Sequence, residues 1–140
     1  MAGGCHAVTT TGIVDLVALC DEQYATHVGW FMALGERVRD ETDPRRQRWY
    51  ATAAHRHAWH AELWAQRRPA IPHDTVHELP PPAEIGVDGD ITSIYCDHLV
   101  EQRALLARLR GEVDPELDPS TRRVIDLVDA DLADLAAHLP

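Results

Sequence analysis

Residues 42–64, TDPRRQRWYATAAHRHAWHAELW, decide the fold. Thr42-Asp43-Pro44 reads as a helix stop, an N-cap and a first-turn proline. An aspartate accepts from the orphan amides of a helix start, and proline fixes φ where no amide donor is needed. Beyond it Trp49, Ala53 and Trp64 recur at helical spacing, one face at about 100° per residue. The same stripe takes in His57 and His60, whereas His55 and Glu62 point the other way. Because this helix begins almost at once after the one before it, the two are expected to run antiparallel.

Upstream, Ile13, Leu16, Val17, Cys20, Tyr24, Phe31, Leu34 and Val38 form the stripe of a first helix over about residues 10–42, with Thr10 or Thr11 at its cap. Downstream, the second helix covers 44–68 and Pro69 ends it. Residues 69–89 form a connection of Pro, His and Gly, where Pro80-Pro81-Pro82 favours extended geometry. A third helix over about 91–113 starts after Asp90 and follows Ile91, Ile94, Tyr95, Leu105 and Leu109. Asp114-Pro115 and Asp118-Pro119 mark a turn, and a fourth helix over about 119–139 carries Val124, Val128, Leu135 and Leu139. The expected fold is all-α: a four-helix bundle of two antiparallel helical hairpins joined by a long crossover loop, one domain over residues 1–140. The connection leaves open whether the second and third helices run parallel or antiparallel.

Composition narrows the class. A chain of 140 residues buries a core without disulfides or metal, and 45% hydrophobic with 26% charged residues is the balance of a folded domain. No apolar run reaches a membrane span and the N-terminus lacks signal-peptide character, so a cytoplasmic location is expected. Cys5, Cys20 and Cys96 are three thiols without CxxC spacing, against both a disulfide framework and a zinc ribbon. A net charge of −10 disfavours nucleic acid and anionic membrane as partners. The basic exception, Arg45, Arg46, Arg48, Arg56, Arg67 and Arg68, is expected to pair with acidic neighbours.

Polar groups forced onto apolar faces carry the functional argument, since a buried one needs a partner. His27 lies on the first stripe, His57 and His60 on the second, His98 with Gln102 on the third, and Asp131 with Asp134 on the fourth. Heights agree as well. From Asp43, His27 is 16 residues back and His57 is 14 forward; from Glu116, His98 is 18 back and Asp131 is 15 forward. His57-x-x-His60 and Asp131-x-x-Asp134 have the i, i+3 spacing with which one helix grips one ion. Tyr24 and Tyr95, also inward, stand as proton-transfer or radical partners beside such a site or as plain core tyrosines. Trp30 and Trp59 fall about a quarter-turn off their stripes, which suits a homodimer interface or cover by the 69–89 loop.

This plan resembles the ferritin-like superfamily, in which each hairpin gives a carboxylate from its first helix and Glu-x-x-His from its second. The segment Arg56–Trp64 is similar to ferritin-like bundles of GC-rich bacteria. By position the resemblance implies a metal set of His27, His57 and His60 from the first hairpin, and His98, Asp131 and Asp134 from the second. Neither Glu-x-x-His motif is present. A His-rich set suits iron, zinc or copper singly rather than a carboxylate-bridged pair, with oxidative chemistry on a small molecule as the implied activity. The competing expectation is a metal-free bundle, a dimeric structural or partner-binding module, in which His98 hydrogen-bonds Asp131 to fix helix register. No catalytic triad or phosphate loop is visible.

Overall fold

The computed structural model describes residues 13–70 and 78–140, with side chains from Asp15 onward; Cys5, Thr10, Thr11, the Ile13 side chain, His73 and His77 lie outside the described residues. Four helices order the chain: α1 (Ile13–Asp40), α2 (Pro44–Arg67), α3 (Ile91–Glu112) and α4 (Pro119–Ala137). Among the described residues there is no strand, and no helix is long and apolar enough to cross a membrane.

Local chemistry sets the boundaries. Asp43, Asp90 and Asp118 cap α2, α3 and α4, accepting from the amides of Arg45, Thr92 and Thr121, and Pro44 and Pro119 follow two of these caps. The Gln47 side chain donates to the Val38 carbonyl at 2.8 Å, satisfying an orphan acceptor at the end of α1. Residues 78–88 are not helical, and this segment lies against α1, where the Ala83 amide donates to the Ala25 carbonyl at 2.9 Å. Gly29 makes that approach possible, since a Cβ there would collide with the Ala83 carbonyl oxygen. Gly89, at φ 118°, turns the chain into the Asp90 cap.

The helices pack as a bundle, most extensively between α1 and α2, with α3 against α4 and α2 against α4. Contacts from α2 to α1 step backward: Gln47 on Val38, His57 on His27, Arg68 on Asp21. Those from α2 to α4 also step backward, His60 on Asp131 and Arg67 on Asp118. Those from α2 to α3 step forward, Tyr50 on Thr92 and His57 on Tyr95.

The core faces are rotated from those expected on two helices. On α1 the buried set is Val17, Cys20, Gln23, His27, Trp30 and Leu34, while Phe31 is exposed and Tyr24 half-buried. Measured from His27, Trp30 lies about 60° to one side and Phe31 about 40° to the other. Trp30 wins because α3 lies on its side and gives it Tyr95 and His98 to pack on. On α3 the buried stripe is Ile91, Tyr95, Leu99, Gln102 and Leu106, so its centre is Leu99 and His98 sits half-buried at its flank.

Three arginines of α2 and Arg68 at its C-cap follow the pairing rule, Arg46 with Glu41, Arg56 with Asp134, Arg67 with Asp118 and Arg68 with Asp21. Cys20 is buried, and burial pushes its thiol up to about 11, which keeps it a packing residue.

Candidate metal centre

His27 of α1 and His57 and His60 of α2 are fully buried and face one another. One ring nitrogen from each lies within 4.8 Å of the others. Their ring centroids are 5.0 Å apart for His27 and His60, 5.1 Å for His27 and His57, and 5.7 Å for His57 and His60. The i, i+3 spacing of His57 and His60 places both on the side of α2 that meets α1, and the short connection brings His27 to their height.

Each α2 histidine of the cluster has a neighbour from α3 or α4. His60 Nε2 donates to Asp131 Oδ2 at 2.8 Å, leaving its Nδ1 bare, buried and without a partner. His57 Nε2 is 2.7 Å from the Tyr95 hydroxyl, and its Nδ1 is 2.8 Å from His27 Nδ1. One proton lies between those two Nδ1 atoms; whichever ring carries it, the other presents a lone pair. His27 Nε2 is also buried and unpartnered.

Burial dominates the electrostatics. It holds His27 and His57 well below the usual imidazole value, with the neighbouring histidines adding to the effect. His60 is lowered by burial despite the opposing pull of Asp131. Tyr95 is raised by burial, with Arg56 opposing. All three histidines are therefore neutral near pH 7, the form in which an imidazole binds a metal. The Asp131 side chain is 35% exposed, so the cluster meets solvent through it.

The remaining expected residues are placed differently. His98 stacks on Trp30, ring centroids 4.7 Å apart, is 5.9 Å from the His57 ring and is pushed down to about 4 by burial. It does not meet Asp131. Leu99 takes the centre of α3 and Leu132 the centre of α4, turning His98 toward α1 and Asp131 toward α2. Asp134 is exposed and pairs with Arg56 and with His138, away from the cluster. Gln102 is buried but bonds Gln23, and Tyr24 has no hydrogen-bond partner among the described residues. Trp30, expected off the core face, is buried at 3% exposure and unavailable to a partner chain, whereas Trp59 is 45% exposed. A stripe centred toward Phe31 leaves Gln23 off the expected core face, whereas the structure buries it. The spacing 20, 23, 27, 30, 34 carries the signal.

Compared with protein families, curated proteins and solved structures, the chain matches none.

Proposed function

We propose that this chain is a ferritin-like helical bundle whose interior binds one transition-metal ion through His27, His57 and His60. The observation that carries the reading is the convergence of three fully buried, neutral imidazoles, two of which keep a nitrogen with no hydrogen-bond partner. Buried polar atoms are nearly always satisfied, so orphan nitrogens beside one another point to a missing partner. Asp131 on His60 matches a recurring feature of metal sites, a ligand histidine whose other N–H is held by a carboxylate. In this reading His57 binds through Nδ1 and donates its Nε2 proton to Tyr95. Nitrogens bound to one ion stand about 3.4 Å apart, so loading closes the cluster by small rotations of the rings.

The donor set selects the metal. Three imidazoles without a bridging carboxylate suit zinc or copper and fit a carboxylate-bridged iron pair poorly. With copper the centre would support the oxidative chemistry implied by the ferritin-like plan; zinc has no redox chemistry of its own. That plan is supported by the direction in which contacts step: backward from α2 onto α1 and α4, forward onto α3. Two antiparallel hairpins joined by a crossover, with the second and third helices parallel, have this pattern.

A second reading, a metal-free module that dimerises through Trp59, is favoured by the direct His27–His57 hydrogen bond, which needs no ion. Elemental analysis of untagged protein grown with added iron, zinc and copper separates the two. Near-stoichiometric zinc or copper supports the metal centre, and absence of any metal supports the second reading.

A further inference from the structure

Arg45, Arg48, Trp49, Thr52 and Arg56 recur at three- and four-residue spacing and so share one face at the start of α2. With Leu135 of α4 and Leu139 just beyond its end they line a cavity of about 450 Å³, within the size range of small-molecule sites. Arg46, Arg56, Arg67 and Arg68 each have an acidic partner, while Arg45 and Arg48, the two arginines of α2 without one among the described residues, line this same cavity. Asp134, which also lines it, is engaged by Arg56 and leaves the other two guanidinium groups uncompensated. Trp49, which also lines the cavity, is 7% exposed, and its indole N–H is buried without a partner.

We propose that this cavity binds a small organic carboxylate with an apolar body. A carboxylate accepts from paired guanidinium groups, and the positive end of the α2 dipole favours an anion in the same place. Trp49, Leu135 and Leu139 give the body of the ligand an apolar wall, which an inorganic anion would not use. The site stands independently of the metal centre, since none of the three histidines lines it.

The test is titration of the full chain at fixed ionic strength with benzoate, hexanoate, neutral benzamide and inorganic phosphate, followed by the tryptophan indole N–H resonances. Saturable binding of benzoate or hexanoate at about millimolar concentration, shifting the Trp49 resonance, is expected. Benzamide and phosphate should bind at least about tenfold more weakly, and Arg45→Gln with Arg48→Gln should weaken the carboxylates by at least about tenfold. Both arginines are exposed, so the double variant keeps the fold, which circular dichroism checks; Arg123→Gln should bind as the parent does. No saturable carboxylate binding, phosphate or benzamide as tight as the carboxylates, or undiminished binding by the double variant would each overturn the proposal.

Discussion

α1 and α2 bury four polar side chains, His27, His57, His60 and Gln23, whereas α3 and α4 bury two, Gln102 and Thr121, beside Leu99, Leu106, Val124, Ile125, Val128 and Leu132. The second set gains stability from apolar burial, about 1.5–3 kcal/mol for each large side chain. The first set gives up part of that gain, because a desolvated imidazole returns less than a leucine in the same volume and must find partners. Symmetric use of the two helix pairs would have each give half of a site. Here one half supplies all the inward imidazoles of the cluster, and the other supplies the groups that orient them, Tyr95 and Asp131. The contrast makes the α1–α2 interior, with its three buried imidazoles, the costlier one to explain.

Acid should have the largest effect on the fold, through the buried imidazoles of α1 and α2 together with His98 of α3. His27, His57 and His60 have folded pKa values below the unfolded value of 6.5, so below that pH the unfolded chain takes up protons that the fold refuses. Stability is complete well above the unfolded value and falls as pH drops below it, by up to about 1.4 kcal/mol per pH unit for each group whose folded value lies well below that range, as it does for His27 and His57. Urea unfolding of chelator-treated protein between about pH 7 and pH 5 measures this. A flat profile would mean that the imidazoles are not held neutral by burial.

Leu132→Ala probes the apolar half and should cost about 2–5 kcal/mol at any pH in this range, leaving metal affinity unchanged. Loss of metal binding in that variant would erase the division between the halves. Tyr95→Phe should cost the metal-free fold about 1–2 kcal/mol. It should also weaken metal binding by about 10–100-fold, because His57 loses the group that fixes its ring. Calorimetric titration with zinc checks the second effect, and an affinity equal to the parent's would remove Tyr95 from the site. Asp134→Asn should change neither melting temperature nor metal affinity measurably, since its partners, Arg56 and His138, lie outside the cluster. A fall in metal affinity there would restore the i, i+3 aspartate pair as a unit.

Much of this was legible in the sequence, for reasons that vary by residue. Asp-Pro caps announce helix starts chemically, so Asp43-Pro44 and Asp118-Pro119 placed α2 and α4 at once. The C-terminal ends of the helices fall within two residues of those expected, because frayed ends carry no such signature. Level heights about a three-residue connection brought His27 to His57, since a short connection fixes register. Longer inference failed where two residues compete for one face. His98 beside Leu99, Asp131 beside Leu132 and Trp30 beside Phe31 each differ by about 100°, and which turns inward depends on the neighbouring helix, not on the helix itself. The partner choice of Asp131, His60 rather than His98, followed from that rotation and could not be read from spacing.

The most direct test compares metal stoichiometry in the parent chain, His60→Leu and His98→Leu after loading with zinc or copper and removal of free ion. His60 belongs to the cluster and His98 stacks on Trp30 outside it. About one ion per chain is expected in the parent and in His98→Leu, and none retained by His60→Leu while its helical content stays that of the parent. An empty parent chain, or His60→Leu holding metal as the parent does, would contradict a three-histidine centre.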